Sequence, residues 1–175
     1  MSKTLLVACA LALAVAPSFG ANKHKTQKKA GASVLGTKQK DCPDSNTCNV
    51  PVLGIAPVDA QTTCTVSYEF SSIVVARGKT PKVVWTVSPA DSADRGSYRF
   101  MSNGIALDPK NDPATDFKDG GFDGTNKKKY KWKSVNKVAS KIPYAINVER
   151  KAPGGKWSNA ERCTPVDPTI SNTGP

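Results

Sequence analysis

A serine or cysteine nucleophile needs a base to take its proton, most often histidine. The 175-residue chain has one histidine, His24, set between Lys23 and Lys25. No acid stands near it in sequence to orient the ring, so histidine-based hydrolysis is not expected. A lysine can replace histidine, and Ser134-Val135-Asn136-Lys137 matches Ser-x-x-Lys. That spacing works when a helix puts both side chains on one face, whereas this copy follows a predicted strand and lacks the companion Lys-Thr-Gly. Glycoside hydrolysis needs two carboxylates facing each other across a cleft. Glu69 and Glu149 both fall in predicted strands, where they read as solvent-face residues. No catalytic residue is assigned, and the chain is expected to be non-enzymatic.

Two charged clusters remain. Asp108, Asp112, Asp116, Asp119 and Asp123 fall within sixteen residues, with Gly120, Gly121 and Gly124 among them. Asp116, Asp119 and Asp123 are the calcium candidates. The stretch 119–124 lacks the middle ligand of an EF-hand loop, and Tyr130 stands where its closing Glu belongs. Asp, Asn, Pro and Gly also build ordinary long β-loops through side-chain-to-backbone turns, so no metal or other cofactor is expected. The sharper signal is Lys127, Lys128, Lys129, Lys131 and Lys133, interleaved with Tyr130 and Trp132. On a strand, period two puts Lys129, Lys131 and Lys133 on one face and the two aromatics on the other. The lysine row is read as an anion-binding surface or as the charged guard of a sheet edge. Because the alternation hides the aromatics from the lysines, stacking of nucleic-acid bases is not expected. An exposed Trp157 beside Gly154 and Gly155 supplies the alternative, a carbohydrate-directed module, lectin-like or glycan-active.

Residues 1–20 read as a secretory leader: Lys3 is the positive start, residues 5–16 are apolar, and small residues close the segment at Ser18 and Gly20. The apolar run is shorter than the roughly 18 residues that span a bilayer as a helix, and no membrane span is expected. Leu6-Val7-Ala8-Cys9 has the residue types of a lipoprotein box, but most of the apolar run follows Cys9 instead of preceding it. Loss of the leader removes one lysine and lowers the formal charge from +11 to +10. Cys42, Cys48, Cys64 and Cys163 then remain, an even number suited to two disulfides in an oxidising compartment. Three pairings are possible. Cys42 with Cys48 and Cys64 with Cys163 is favoured, because the first two are neighbours and the other two bracket the predicted strands. Zinc is disfavoured because no Cys-x-x-Cys pair occurs.

Residues 21–40 hold six lysines and no acid, with Val34 and Leu35 the only large apolar residues, so residues 21–41 are predicted to be a flexible basic arm. A single domain is expected over 42–171, with a disordered tail at 172–175. Within it, β-forming runs fall at 64–70, 72–76, 82–88, 98–100, 105–107, 130–132 and 144–148, separated by turn residues. Asn49 to Ile55 is read as an added edge strand, since Pro51 lacks an N–H. The pattern predicts an all-β, antiparallel β-sandwich of about seven strands, immunoglobulin-like or fibronectin-like and stapled by disulfides, with the disordered basic arm in front. Trp85 and a Cys64–Cys163 pair suit such a core, although Glu161 stands where the immunoglobulin pattern has tyrosine.

Lys82-Val83-Val84-Trp85, Pro89-Ala90-Asp91, Asn111-Asp112-Pro113 and the run from Tyr130 to Asn136 together resemble small exported bacterial proteins, over the part of the chain from Cys64 onward. The resemblance implies export and a sandwich fold, and it implies no activity. The expected role is therefore an exported binding or structural domain, secreted or periplasmic. Its partner is expected to be an anionic envelope component or another exported protein.

Overall fold

The computed structural model describes residues 33–58, 63–91, 96–111 and 116–174. The expected leader at 1–20, the arm up to residue 32 with His24, and Asp112 lie outside the described residues. The described chain is all-β. Its strands are β1 (Val34–Cys42), β2 (Thr47–Ile55), β3 (Thr65–Val75), β4 (Lys82–Pro89), β5 (Ser97–Leu107), β6 (Phe117–Phe122), β7 (Lys129–Ser134), β8 (Ala139–Lys151), β9 (Glu161–Arg162) and β10 (Thr169–Thr173).

The strands join in the order β5-β8-β10-β3-β2-β4-β7-β6, with β1 added on β3 and β9 on β8. The expectation of a purely antiparallel arrangement gives way to a mixed sheet. β1 and β10 both run parallel to β3, and β2 runs parallel to β4. Parallel neighbours need a long connection between them, and the chain supplies one by laying β3 between β2 and β4 in sequence. β2 is consequently an interior strand and not the predicted edge. Its ladder to β3 covers only Leu53–Ile55, so Pro51 lies beyond it and has one flank without a strand ladder.

Two further expectations are corrected. Residues 34–41, predicted as flexible arm, form β1, because backbone pairing with β3 and the Cys42 bridge hold a segment whose side chains stay mostly exposed. Asn172 and Thr173, predicted as tail, belong to β10, and Asn172 is buried against the sheet interior. The runs at 64–70 and 72–76 fuse into β3. Those at 98–100 and 105–107 fuse into β5, which is irregular between Phe100 and Ile105.

The sheet curls until its two ends meet, which makes it nearly a barrel. At the seam, the Phe100 amide of β5 donates to the Lys127 carbonyl at 2.9 Å. The Trp132 indole N–H donates to the Ile105 carbonyl at 3.0 Å. Tyr130 packs edge-on to Phe100 and to Phe122, with centroids 6.0 and 5.6 Å apart. The missing side chains of Gly104 and Gly120 make this possible, since a Cβ at either would collide with Tyr130 or Trp132. One core fills the curl, with Val52, Ile73, Trp85, Phe100, Ile142 and Ile146 all fully buried. Each such side chain contributes roughly 1.5–3 kcal/mol through removal from water.

Both disulfides are present, Cys42–Cys48 and Cys64–Cys163, with sequence separations of 6 and 99. Cys64 leads into β3, and Cys163 follows β9 with its amide bonded to the Val148 carbonyl of β8. The long bridge sits beside a parallel β-bridge between Thr65 and Thr164, where the Thr164 amide donates to the Cys64 carbonyl at 2.9 Å.

Candidate anion-binding face

Strand period two sorts β4 and β7 into opposite faces. Val83, Trp85 and Val87 of β4 and Tyr130 of β7 are buried in the core, and Trp132 packs against it. The intervening residues, Lys82, Val84 and Thr86 on β4 and Lys129, Lys131 and Lys133 on β7, turn outward. Register then assembles charges from three strands. Lys82 lies opposite Lys133 in the β4–β7 pair, and Lys118 lies opposite Lys133 in the β6–β7 pair. Adjacent strands sit about 4.8 Å apart. A transverse row of three lysines results, crossed by the longitudinal row Lys129, Lys131 and Lys133. Val84, opposite Lys131, is 2% exposed although it faces away from the core. Long lysine stems cover apolar surface while keeping their ammonium groups in water.

The counter-charge is sparse. Asp123 approaches both Lys82 and Lys131, each at 3.5 Å. Lys118, Lys129 and Lys133 have no ion-pair partner among the described residues. Ser45, Thr80, Lys82, Asp119, Lys131 and Lys133 line an open depression of about 300 Å³. Asp119 has a φ of 57°, in the left-handed region that Asp and Asn tolerate better than most residues. Its carboxylate makes no hydrogen bond or ion pair among the described residues.

Of the five lysines singled out in sequence, Lys129, Lys131 and Lys133 share this face. Lys127 and Lys128 lie in the turn before β7, with the Lys127 ammonium 5.3 Å from the Phe122 ring centroid. β7 lies between β4 and β6, so its lysines do not guard an edge. Lys82 and Lys118 were missed. Lys82 shares the outward phase of Thr86 and was legible from alternation. Lys118 was hidden because β6, a Phe-Lys-Asp-Gly-Gly-Phe run, reads as loop.

The calcium candidates do not converge. Asp116 is buried, its carboxylate accepts from the Val138 amide at 3.4 Å and its carbonyl from the Val135 amide at 2.7 Å, which fixes the β7–β8 connection. Asp123 is engaged by lysines. Among the described residues, no three of His, Cys, Asp and Glu gather into a metal-holding group.

The other chemical candidates are dispersed as well. Ser134 is buried and donates to the Asn172 side chain at 3.3 Å, while Lys137 is exposed. Glu69 pairs with Lys38 and Glu149 with Arg99. The Arg99 guanidinium also lies 3.9 Å from the centroid of the Trp157 ring, so a face that a sugar would need is covered. Inside the core, the Tyr68 and Tyr144 hydroxyls bond at 2.9 Å, and the Trp85 indole donates to Tyr144 at 3.4 Å. Burial pushes Tyr68 up to about 12 against the lowering effect of its hydrogen bonds. Burial drives Tyr144 well above the ordinary tyrosine value, with the neighbouring Tyr68 adding to the effect.

No protein-family model matches the chain, and no curated protein is significantly similar to it.

Proposed function

We propose that this chain is an exported, non-enzymatic binding domain whose β4–β7–β6 face holds an anionic partner, an envelope component or another exported protein. The observation that carries the reading is the transverse row Lys82, Lys133 and Lys118. Like charges directly opposite one another destabilise a sheet. A row of three in which Lys82 pairs with Asp123 while Lys118 and Lys133 have no ion-pair partner among the described residues is therefore a cost to folding that an incoming anion would relieve. Two disulfides support an oxidising, extracytoplasmic location, secreted or periplasmic. No helix among the described residues is long and apolar enough to cross a membrane. Because Tyr130 and Trp132 turn toward the core, base stacking has no part in the proposal. Kinship with immunoglobulin-like or fibronectin-like sandwiches is supported by the long bridge and by the buried Trp85, and opposed by the three parallel pairings.

The test is retention of the purified chain on an anionic resin across a salt series, beside a Lys118→Gln/Lys131→Gln/Lys133→Gln variant. Exposed charges are screened beyond about 8 Å at physiological ionic strength. Retention of the native chain is expected to fall as salt rises, and the variant is expected to elute earlier with a shallower dependence. Equal elution of the two chains would remove this face from the proposal.

A further inference from the structure

We propose that the depression on the lysine face is a subsite for an acidic polysaccharide: anionic groups of the glycan sit among Lys82, Lys131 and Lys133, and a glycan hydroxyl donates to Asp119. The inference rests on the anion-binding reading and adds the chemical class of the partner.

Three observations carry it. The first is the carboxylate itself. Asp119 lines the same depression as three lysines, yet it has no hydrogen bond or ion pair among the described residues. A site for a simple anion gains nothing from a carboxylate, which repels the ligand. An ionised Asp is acceptor-only, so its natural complement is a ligand that also carries donors. Carboxylated and sulfated glycans bring anionic groups and hydroxyls together on one ring. Inorganic phosphate chains bring the charge without the hydroxyls.

The second observation is the neutral rim. The Ser45 hydroxyl oxygen accepts from the Thr80 amide at 3.2 Å, which leaves its O–H proton available, and Thr80 adds a second exposed hydroxyl. The third is the extent of the face. The depression of about 300 Å³ is at the small end of ligand sites. The lysines nevertheless continue beyond it along β7 to Lys129, at roughly 6.8 Å per alternate residue. One ring in the depression with its chain laid along the strand matches that layout better than an isolated small anion.

The experiment compares the full chain with Asp119→Asn, titrated calorimetrically with oligogalacturonate, a heparin oligosaccharide and inorganic polyphosphate at low and physiological salt. Asn tolerates the left-handed backbone at this exposed position, so the fold is kept. The native chain is expected to bind at least one of the two glycans. The substitution is expected to weaken that binding by about five-fold, through loss of hydrogen bonds to a charged acceptor. The same substitution is expected to tighten polyphosphate by about two-fold, because a repelling charge is gone. Tightening of every probe, or binding of polyphosphate alone, would overturn the glycan assignment and leave the anion-binding reading in place. Failure of all three probes to bind would overturn both.

Discussion

The two faces of the β4–β7 pair are built from alternate residues of the same dozen or so positions, and they obey different physics. On the inner face Trp85, Tyr130 and Trp132 pack against Tyr144, Phe100 and the Ile105 carbonyl. Every polar atom these rings bring inward at Trp85, Tyr144, Tyr68 and Trp132 has a hydrogen-bond partner. On the outer face Lys118, Lys129 and Lys133 lack ion-pair partners among the described residues, and Asp119 is likewise unpaired. The aromatic cluster of the inner face is hydrogen-bonded within itself; the outer face is left with unmatched charge. Stability is therefore concentrated on one side of these strands and binding capacity on the other. Substitutions on the two sides should separate the two properties.

The largest expected effect is on the inner side. Trp85→Ala removes the largest fully buried side chain and should cost about 4 kcal/mol of folding stability. Chemical denaturation monitors this, while anion retention of the remaining folded fraction stays unchanged. A change in retention at equal foldedness would show that the two faces are coupled.

Next is the buried hydroxyl pair. Tyr144→Phe removes the hydroxyl that bonds Tyr68 and accepts from the Trp85 indole, and should cost about 2 kcal/mol. The same pair sets the alkaline limit. Because the folded state holds the Tyr68 proton up to about 12, against an ordinary value of 10.0, its contribution is complete below pH 10. It is lost as pH rises from 10 toward 12, since the unfolded chain ionises first. Denaturation midpoints should be flat with respect to these groups below pH 10 and should fall above it. Phenolate absorbance from Tyr68 and Tyr144 should emerge together with unfolding. A flat stability profile to pH 12 would contradict the buried assignment.

The smallest effect is expected outside, with the opposite sign. Lys133→Gln interrupts both cross-strand like-charge contacts and should stabilise by about 0.5 kcal/mol while weakening anion retention. Thermal melts at low salt measure the gain, which should shrink as salt is added. Destabilisation by this change would mean that the Lys133 stem contributes more through packing on the sheet surface than its charge costs.

Much of this division is written locally. The alternation Val83, Trp85, Val87 against Thr86, and Tyr130, Trp132 against Lys129, Lys131, Lys133, is enough to assign inner and outer faces, because successive side chains on any strand point to opposite sides. The four cysteines of the folded part, by number and position, likewise pointed to the two bridges that the structure contains. These are properties of neighbouring residues and of composition, and they need no knowledge of where the chain goes next.

Strand partnership was decided elsewhere. No local pattern reveals that β1 and β10, at opposite ends of the domain, would both run parallel to β3, or that Pro51 would sit in an interior strand. Segments such as Lys118 to Gly121 and Val34 to Asp41 carry weak burial signals of their own, and they become strands because a neighbour offers a ladder. The assembly of Lys82, Lys118 and Lys133 into one row, with Asp123 between two lysines and Asp119 left unpaired, follows from that register alone. The composition of each face was thus legible from the period of the strand. The site was not, because pairing and register depend on how the whole chain closes on itself.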